Sequence, residues 1–473
     1  MGTINSAFNI TKQALEADQE ALNVISNNVA NASTEGYTRQ SVVWQQNSTV
    51  TVGNLTFGEG ASISSVQSQR DLVLQQRLDQ QQQLQASSST RYSALQSVQA
   101  LFSITSSSST SSGDIGTDLT SFFDSFSSLE SNPSDQSSRE EVLSTATSLA
   151  SDISSTAKSL SSQQTGIDQN VSSVVSQINS LSSAIAKLNG QIQQNSSESD
   201  AGELEDQRQQ DISDLSKLVG ISQVSTGNNG LQITTTSGRL LVNGEDSYDL
   251  TTGASGGVLH VFSTLGSTTT DITSELTSGG GSMSGYLTAR DTDIPKVISQ
   301  LDNLAYYVST SVNTLNNAGT DLAGDSTNAG NIFSAPTAVS GSAATMSVVM
   351  TDTNHIAAAS SGSGTGNNAN AVLMAKLASQ TIVNGQTPSN YYSSLVSSLG
   401  TTISEVETEM TSQSSSVSQL QSQVDSLSSV NLNDEASSLA LIERSYQAAS
   451  KVFSILNTVM ASALNLGSQT TVS

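Results

Sequence analysis

Apolar positions recur at three- and four-residue intervals over most of this chain, and interruptions of that rhythm mark where its elements end. At the start, Ile4, Phe8, Leu15, Leu22, Ile25 and Val29 fall on heptad a/d positions, with Thr11 and Asp18 as polar members of the stripe. This predicts an amphipathic helix, broken at Asn31, Ser33 and Gly36. From Thr38 to Val66 the runs SVVWQQ, TVTVG and ASISSV alternate between turn-rich stretches, as short strands or an extended arm do. Residues 67–195 read as mostly helical, most clearly where Val171, Val174, Ile178, Leu181, Ile185, Leu188 and Ile192 keep unbroken spacing. SITSSSSTSSGD (103–114) and LESNPSD (129–135) read as flexible connections.

Near Val219 the period changes. LQITTT, RLLVNG and GVLHVFSTL alternate within Gly/Thr-rich surroundings, predicting a small β-rich domain. GGGSMSG (279–285) lacks the Lys-Ser/Thr ending of a phosphate-binding loop and reads as a Gly-rich turn. Helix returns at 289–317; residues 319–366 look loop-like, with a strand candidate at Thr345–Met350. The late stripe Val396, Leu399, Ile403, Val406, Met410, Val417, Leu420, Val424, Leu427 is interrupted by Gln413 and predicts a helix roughly 50 Å long. SVNLNDE then breaks the register, with Asn433 as N-cap and Asp434 and Glu435 in the first turn of the next helix. That last helix carries Leu439, Ile442, Tyr446, Ala449, Phe453, Leu456, Met460 and Ala463.

The fold class is therefore mainly α with a β-rich insertion, long helical bundle or coiled-coil domains involving both chain ends, and a small outer β domain. In domain terms, an N-terminal helix (1–36) pairs with a C-terminal one (434–473). Between them lie a mostly helical region (37–218), the β-rich outer domain (219–288), a return helix (289–332), a Gly/Ser-rich loop and strand that could join the outer domain (333–366), and a long helix (367–433). Both terminal stripes are narrow and set off from the rest by breaks. Isolated helices of about 30 residues are marginal, so each gains stability by pairing with the other and with neighbouring subunits.

Composition narrows the function. Hydrophobic residues make up 35% and charged residues 12% of 473 residues, and the formal net charge is −25. Phosphate binding needs clustered Lys and Arg, and anionic lipid repels an acidic chain; neither nucleic acid nor a membrane surface is an expected partner. There is no Cys, which suits a reducing cytosol or export of an unfolded chain that must not cross-link. The N-terminal MGTINSAFNITKQALEADQ has neither a basic n-region nor a continuous apolar h-region, and no stretch approaches 18 consecutive apolar residues. No cleavable signal and no membrane span are expected.

Catalytic chemistry is sparse. His260 and His355 are the only histidines; His260 sits in an alternating run, so a surface or half-buried structural role is expected. Glu405, Glu407 and Glu409 are spaced by two, which on a helix does not bring carboxylates face to face; they read as a solvated face beside Val406 and Met410. Asp321, Asp325 and Asn328 lack the spacing and terminal Glu of a calcium loop. No catalytic residue, metal or cofactor is expected.

The terminal segments are recognisable. SNNVANASTEGYTRQ (26–40), directly after an amphipathic helix, resembles the signature shared by flagellar rod, hook and hook-associated proteins, and its GYTRQ ending (Gly36–Gln40) resembles the hook-associated protein 1 version. ELEDQRQQDISDLSKLVGI (203–221), GSMSGYLTARD (281–291) and VNLNDEASSLALIERSYQAASKVFSILNTVMASALNL (430–466) resemble the same family, in the same order. Asn433 stands where the family usually carries an acidic residue, and the stretch from Ile332–Phe333 to His355 leaves little room for the extra outer domain of some members.

The resemblance implies a structural protein secreted unfolded through the flagellar type III apparatus and placed between hook and filament. Implied partners are the hook protein, the second hook–filament junction protein, copies of the chain in a ring, and a cytoplasmic export chaperone that takes the C-terminal helix. It also implies that both terminal helices lie in an inner tube. The assembly residues would be Phe8, Leu15, Leu22, Ile25, Val29, Ile442, Tyr446, Phe453, Leu456 and Met460, with Asn27, Asn28, Asn31, Gly36, Tyr37 and Arg39 shaping the bend. Rival readings are another axial subunit, such as a hook or distal-rod protein, against which 203–221 and 430–466 speak, and a secreted adhesin or enzyme on filament-type termini, for which 219–290 shows no legible chemistry.

Overall fold

The computed structural model describes residues 2–34, 36–52, 55–102, 114–195, 202–227, 229–325 and 329–469. The Ser-rich connection at 103–113 and Asn328 therefore lie outside the described residues. Helix α1 (Gly2–Ala30) leads through a turn into a two-stranded ribbon, β1 (Gln40–Gln46) against β4 (Ala61–Ser68), whose far end carries the hairpin β2 (Thr49–Val52) and β3 (Leu55–Gly58). The ribbon runs back along α1: Asn47 Nδ2 donates to Gln13 Oε1 at 2.9 Å.

The body begins with α2 (Leu72–Ala100), started by Asp71 accepting from the Val73 and Leu74 amides. Next come α3 (Ile115–Ser131) and the 60-residue α4 (Gln136–Asn195), then α5 (Gly202–Leu218). Apolar side chains on α3 and the first half of α4 are buried at helical spacing, Leu119, Phe122, Phe126 and Leu129 on one helix and Val142, Ala146, Leu149 and Ile153 on the other, while Leu181 further along the α4 stripe is half-buried. Four phenylalanines form the centre, with Phe122 5.3 Å from Phe123, 5.2 Å from Phe126 and 5.3 Å from Phe333 by ring centroid.

The β-rich insertion comprises β5 (Ile221–Ser225), β6 (Leu231–Thr235), β7 (Leu240–Asn243) and β8 (Asp246–Ser247) as one antiparallel sheet. A second sheet follows, β9 (Leu250–Ser255), β10 (Val258–Leu265) and β11 (Thr268–Asp271), in the order β11–β10–β9. Both sheets are stitched to α4. Asn179 of α4 both donates to Leu250 O and accepts from Leu250 N, at 2.8 and 2.9 Å, and Asn189 donates to Leu231 O and Gly244 O. Ile233, Val242 and Val261 join the same apolar core as the helices.

The strands end at Asp271, earlier than the domain boundary expected at 288, because α6 (Thr273–Thr277) and α7 (Gly281–Thr288) follow. GGGSMSG is thus only partly a turn, and its glycines serve close packing. A Cβ on Gly285 would stand 2.4 Å from Ser87 O of α2, so only glycine lets α7 approach that backbone. A single π-helical turn, Ala289–Asp293, joins α7 to α8 (Ile294–Ala318) and turns Arg290 inward, where it donates to Asp168 Oδ1 and Leu259 O.

Residues 319–366 contribute β12 (Gly319–Thr320) paired with β13 (Ala359–Ser360), and the short α9 (Ser342–Thr345). The strand expected at Thr345–Met350 reduces to one isolated bridge, Phe333 with Val348. Nor does 333–366 join the β-rich insertion. Phe333 and Ile356 are buried in the helical core, and the buried Arg139 of α4 donates to Thr353 O and Ile356 O. The long helix expected over 367–433 is two helices, α10 (Ala369–Lys376) and α11 (Pro388–Ser428). Asn384 and Gly385 have positive φ, which no helix continues through, and Thr387 caps α11 with Pro388 in its first turn. Gln413, which interrupts the α11 stripe, is met by Ser88 Oγ of α2. Leu427 at the end of that stripe is exposed.

The last helix, α12 (Leu432–Gln469), packs along α1. Phe8 near the start of α1 stacks on Phe453 at 4.6 Å, while Asn28 at its end meets Glu435 at the beginning of α12, so the pair is antiparallel. Among the described residues no helix is long and apolar enough to cross a membrane.

Candidate assembly joint

Two covalent links connect the terminal pair to the body, residues 31–39 and 429–431, and they meet at one place. Helix α1 ends by side-chain bonds: Asn31 Nδ2 donates to Asn27 Oδ1 at 2.7 Å, and Thr34 Oγ1 donates to Asn31 Oδ1. Gly36 then takes φ +79°, and a Cβ there would press to 3.0 Å on Gln210 Oε1 of α5. Asn28, buried, treats the returning chain as a neighbouring strand. It donates to Gln40 O at 2.9 Å, and its Oδ1 accepts from Gln40 N at 3.0 Å and from the Tyr37 hydroxyl at 2.8 Å.

Arg39 is the centre of the joint. Its amide donates to Ser428 O, the end of α11, and its carbonyl accepts from Gln69 N, the end of the ribbon. Its Nε lies 2.7 Å from Glu435 Oε1, and Glu435 also accepts from Asn28 Nδ2 at 3.3 Å. On the body side, Asp206 of α5 accepts from Thr38 N at 2.9 Å and pairs with Arg70, whose Nη2 also donates to Thr38 Oγ1. Burial pushes the Asp206 carboxyl up, while the Thr38 and Arg70 contacts pull it down. The Tyr37 hydroxyl is pushed up to about 12 by burial and then by the charges of Asp206, Glu435 and Glu203, so it stays a donor at any physiological pH. A polar cavity of about 190 Å³ borders this cluster, lined by Gly36, Gln75, Gln82, Asp206, Gln209 and Ser428 among others.

Of the six residues expected to shape the bend, Asn28, Gly36, Tyr37 and Arg39 lie in this cluster, and Asn27 and Asn31 close the helix beside it. The N-cap of α12 is Asn431, two residues before the expected Asn433: its Oδ1 accepts from Asn433 N, and its carbonyl from Glu435 N. Glu435 is not a solvated first-turn carboxylate. Only tertiary contact could reveal that, since its partners lie some four hundred positions away, and the same holds for Asp206 and Arg70.

Of the ten expected assembly positions, Phe8, Leu15, Leu22, Ile442, Phe453, Leu456 and Met460 are half-buried in the α1–α12 seam and Ile25 is buried. Val29, 45% exposed, and Tyr446, 38% exposed, lie outside it. At the end of α1 it is Asn28, one position earlier, that turns inward. A second apolar row on α12, Leu441, Val452, Ile455 and Val459, is 45–68% exposed. Its members stand eleven, three and four residues apart, a helical spacing that could have marked it beside the first. Elsewhere, His260 pairs with Asp271 and His355 with Asp321, both through Nδ1, and Glu405, Glu407 and Glu409 are exposed. Among the described residues no group of three or more His, Cys, Asp or Glu could hold a metal.

A family model for the FlgK helical domain of flagellar hook-associated protein matches residues 101–333, and one for flagella basal body rod protein matches 8–38, the α1 segment and its turn. Flagellar hook-associated protein 1 of Escherichia coli is 26% identical over 98% of this chain and 100% of its own length. The chain belongs to the hook-associated protein 1 (FlgK) family. Flagellar hook-associated protein 1 of Bacillus subtilis is 26% identical, covering 96% of each chain. The solved flagellar hook junction protein FlgK of Burkholderia pseudomallei shares the fold, with a TM-score of 0.66 and 18% identity over 73% of this chain and 99% of that one. FlgK membership makes this chain an exported, extracellular component of the flagellum that contacts other hook and filament proteins.

Proposed function

We propose that this chain is a non-catalytic structural subunit at the hook–filament junction, fixed there by its terminal helix pair. The observation that carries the reading is the second apolar row on α12, which the chain's own α1 leaves uncovered. The row fits packing against terminal helices of neighbouring copies in a ring, with the hook protein on one side and the second junction protein on the other. In the cytoplasm the same row is a ready surface for an export chaperone. The joint at Arg39 and Glu435 then sets the angle between the packed pair and the body.

Ile455→Asp tests this. The residue is 54% exposed, so the free subunit should melt as the wild type does, while cells carrying it should shed filament subunits into the medium. Normal filaments and motility in that strain would remove the row from assembly. Imaging of native flagella with the subunit labelled should place it as a band between hook and filament.

A further inference from the structure

The α3–α4 hairpin holds two carboxyl groups that form no ion pair with a cation among the described residues. Ser125 of α3 accepts from Thr145 Oγ1 of α4 at 3.2 Å, which sets the antiparallel register of the two helices. Moving seven residues, two helical turns, back along α3 and forward along α4 from that bond brings Asp118 opposite Asp152. The Oδ2 atoms of both carboxylates are shielded from solvent, and neither meets a donor among the described residues. Two buried acceptors facing each other without a hydrogen between them repel and leave two lone-pair sets unsatisfied.

The surroundings add negative charge. Asp114, the N-cap of α3, accepts from the Gly116 and Thr117 amides, and Tyr392 of α11 lies close enough to Asp114 for its hydroxyl to be pushed up to about 12, by burial first. Lys376 of α10, which also packs against α3, forms no ion pair with either carboxylate. Asp118 sits in the first turn of α3, where the helix dipole favours the ionised form. That influence is outweighed. Burial, then the hydrogen bond that a protonated Asp118 would share with Asp152 and the charge of Asp152, then the charge of Asp114 push Asp118 up to about 7.

We propose that Asp118 and Asp152 form a proton-operated clasp across the α3–α4 hairpin. With its proton in place, Asp118 donates to the Asp152 carboxylate and joins the two helices. When the proton leaves to solvent, two carboxylates are left face to face and the hairpin loosens. The sign follows from linkage. A carboxyl raised in the folded state gives stability that is fully present below its unfolded value of 3.8 and is lost as pH rises through about 7. The body of an extracellular subunit would thus be firmest in mildly acid surroundings and softest in alkaline ones.

The experiment uses the full chain, with melting curves at about pH 6 and about pH 8.5 for the wild type and Asp118→Asn. The wild type should melt lower at the higher pH, by about 1–2 °C, which is the part of the loss that remains above pH 6. In the variant the amide donates to Asp152 at every pH, so most of that difference should vanish. An unchanged pH difference in Asp118→Asn would overturn the clasp and assign the effect to overall charge. Hydrogen exchange localises it: peptides of α3 and the first half of α4 should lose protection, corrected for intrinsic rate, above pH 7 in the wild type only. Equal loss over the β-rich insertion would overturn it too. Should the variant fold poorly, infrared difference spectra of wild-type protein carrying ¹³C-aspartate serve instead. One aspartic acid carbonyl should titrate near pH 7, and ionisation of every aspartate below about pH 5 would rule the clasp out.

Discussion

The body and the terminal pair are both helical, yet they bury different balances of side chain. In the body the side chains sealed from water are mostly apolar and many are large, Phe122, Phe126, Phe333, Leu149, Ile153 and Leu160 among them, with polar exceptions such as Arg139 and Asn189. In α1 they are Thr11, Ala17, Asp18, Ala21, Ile25 and Asn28, and in α12, among the described side chains, Glu435 alone. Apart from Ile25, the big apolar residues described in the pair are left half-covered at the seam or open on the outer row. A body built that way is self-sufficient, since each buried phenylalanine contributes several kcal/mol. A pair built that way reaches full burial only when other helices cover it. The difference separates what the chain does alone from what it does in an assembly.

The sharpest way to break this contrast is one large substitution in each region. Phe122→Ala should cost about 3–5 kcal/mol of body stability through the cavity it leaves, seen as a large fall in melting temperature. Phe453→Asp should leave that temperature nearly unchanged while abolishing junction assembly, because a carboxylate is tolerated at a wet seam and costs several kcal/mol at a covered one. Equal thermal losses in both would mean that the terminal pair is part of the folding core.

Next in size is the joint. Glu435→Ala removes the ion pair of Arg39 and one of the two bonds made by the Asn28 amide, and should weaken the attachment by about 1–3 kcal/mol. Proteolysis near residues 31–40 and 428–436 should speed up accordingly, with the body left as the resistant fragment and melting as before. An unchanged cutting rate would show that the joint holds by shape alone.

Gly36→Val forces a β-branched residue to φ +79° and against Gln210, a strain of about 1–2 kcal/mol. It should impair assembly in cells without lowering the melting temperature of the body, and Gly36→Ala should show a weaker form of the same defect. Full assembly by the Val variant would make the position an ordinary linker. Tyr37→Phe should have the smallest effect, about 1 kcal/mol for the hydrogen bond to Asn28. It sharpens the comparison only if the loss is confined to the proteolysis rate at the joint.

Most of the helices could be read from periodicity, because burial on one face of a long helix leaves a repeating mark. The stripes of α4 and α11 and the seam of α12 are such marks, and the Asn28–Arg39 segment carried its own signature. What stayed hidden was decided by contacts between distant parts. Glu435 looked like a dipole-complementing carboxylate until Arg39 stood beside it. GGGSMSG looked like a turn because nothing local shows that α2's backbone needs glycine across from it. Residues 333–366 looked like surface loop because one phenylalanine among Ser and Ala gives no period, although Phe333 sits at the centre of the core. The break before α11 was concealed too, because it rests on Asn384 and Gly385, whose positive φ is a property of backbone and not of hydrophobicity.

The π-helical turn at Ala289–Asp293 works as a phase shifter. An ordinary helix advances about 100° per residue, and a π turn accommodates one residue more than an α turn, so it rotates everything after it by about that amount. Here it lets α7 present one face to α2 while α8, continuing almost in line, presents Leu301, Leu304, Val308 and Val312 to the core. Deleting a single residue within the turn would leave a smooth helix of nearly the same length and composition. It would also swing those four side chains roughly a quarter-turn out of the core, so at this place the fold is sensitive to the number of residues rather than to their kind.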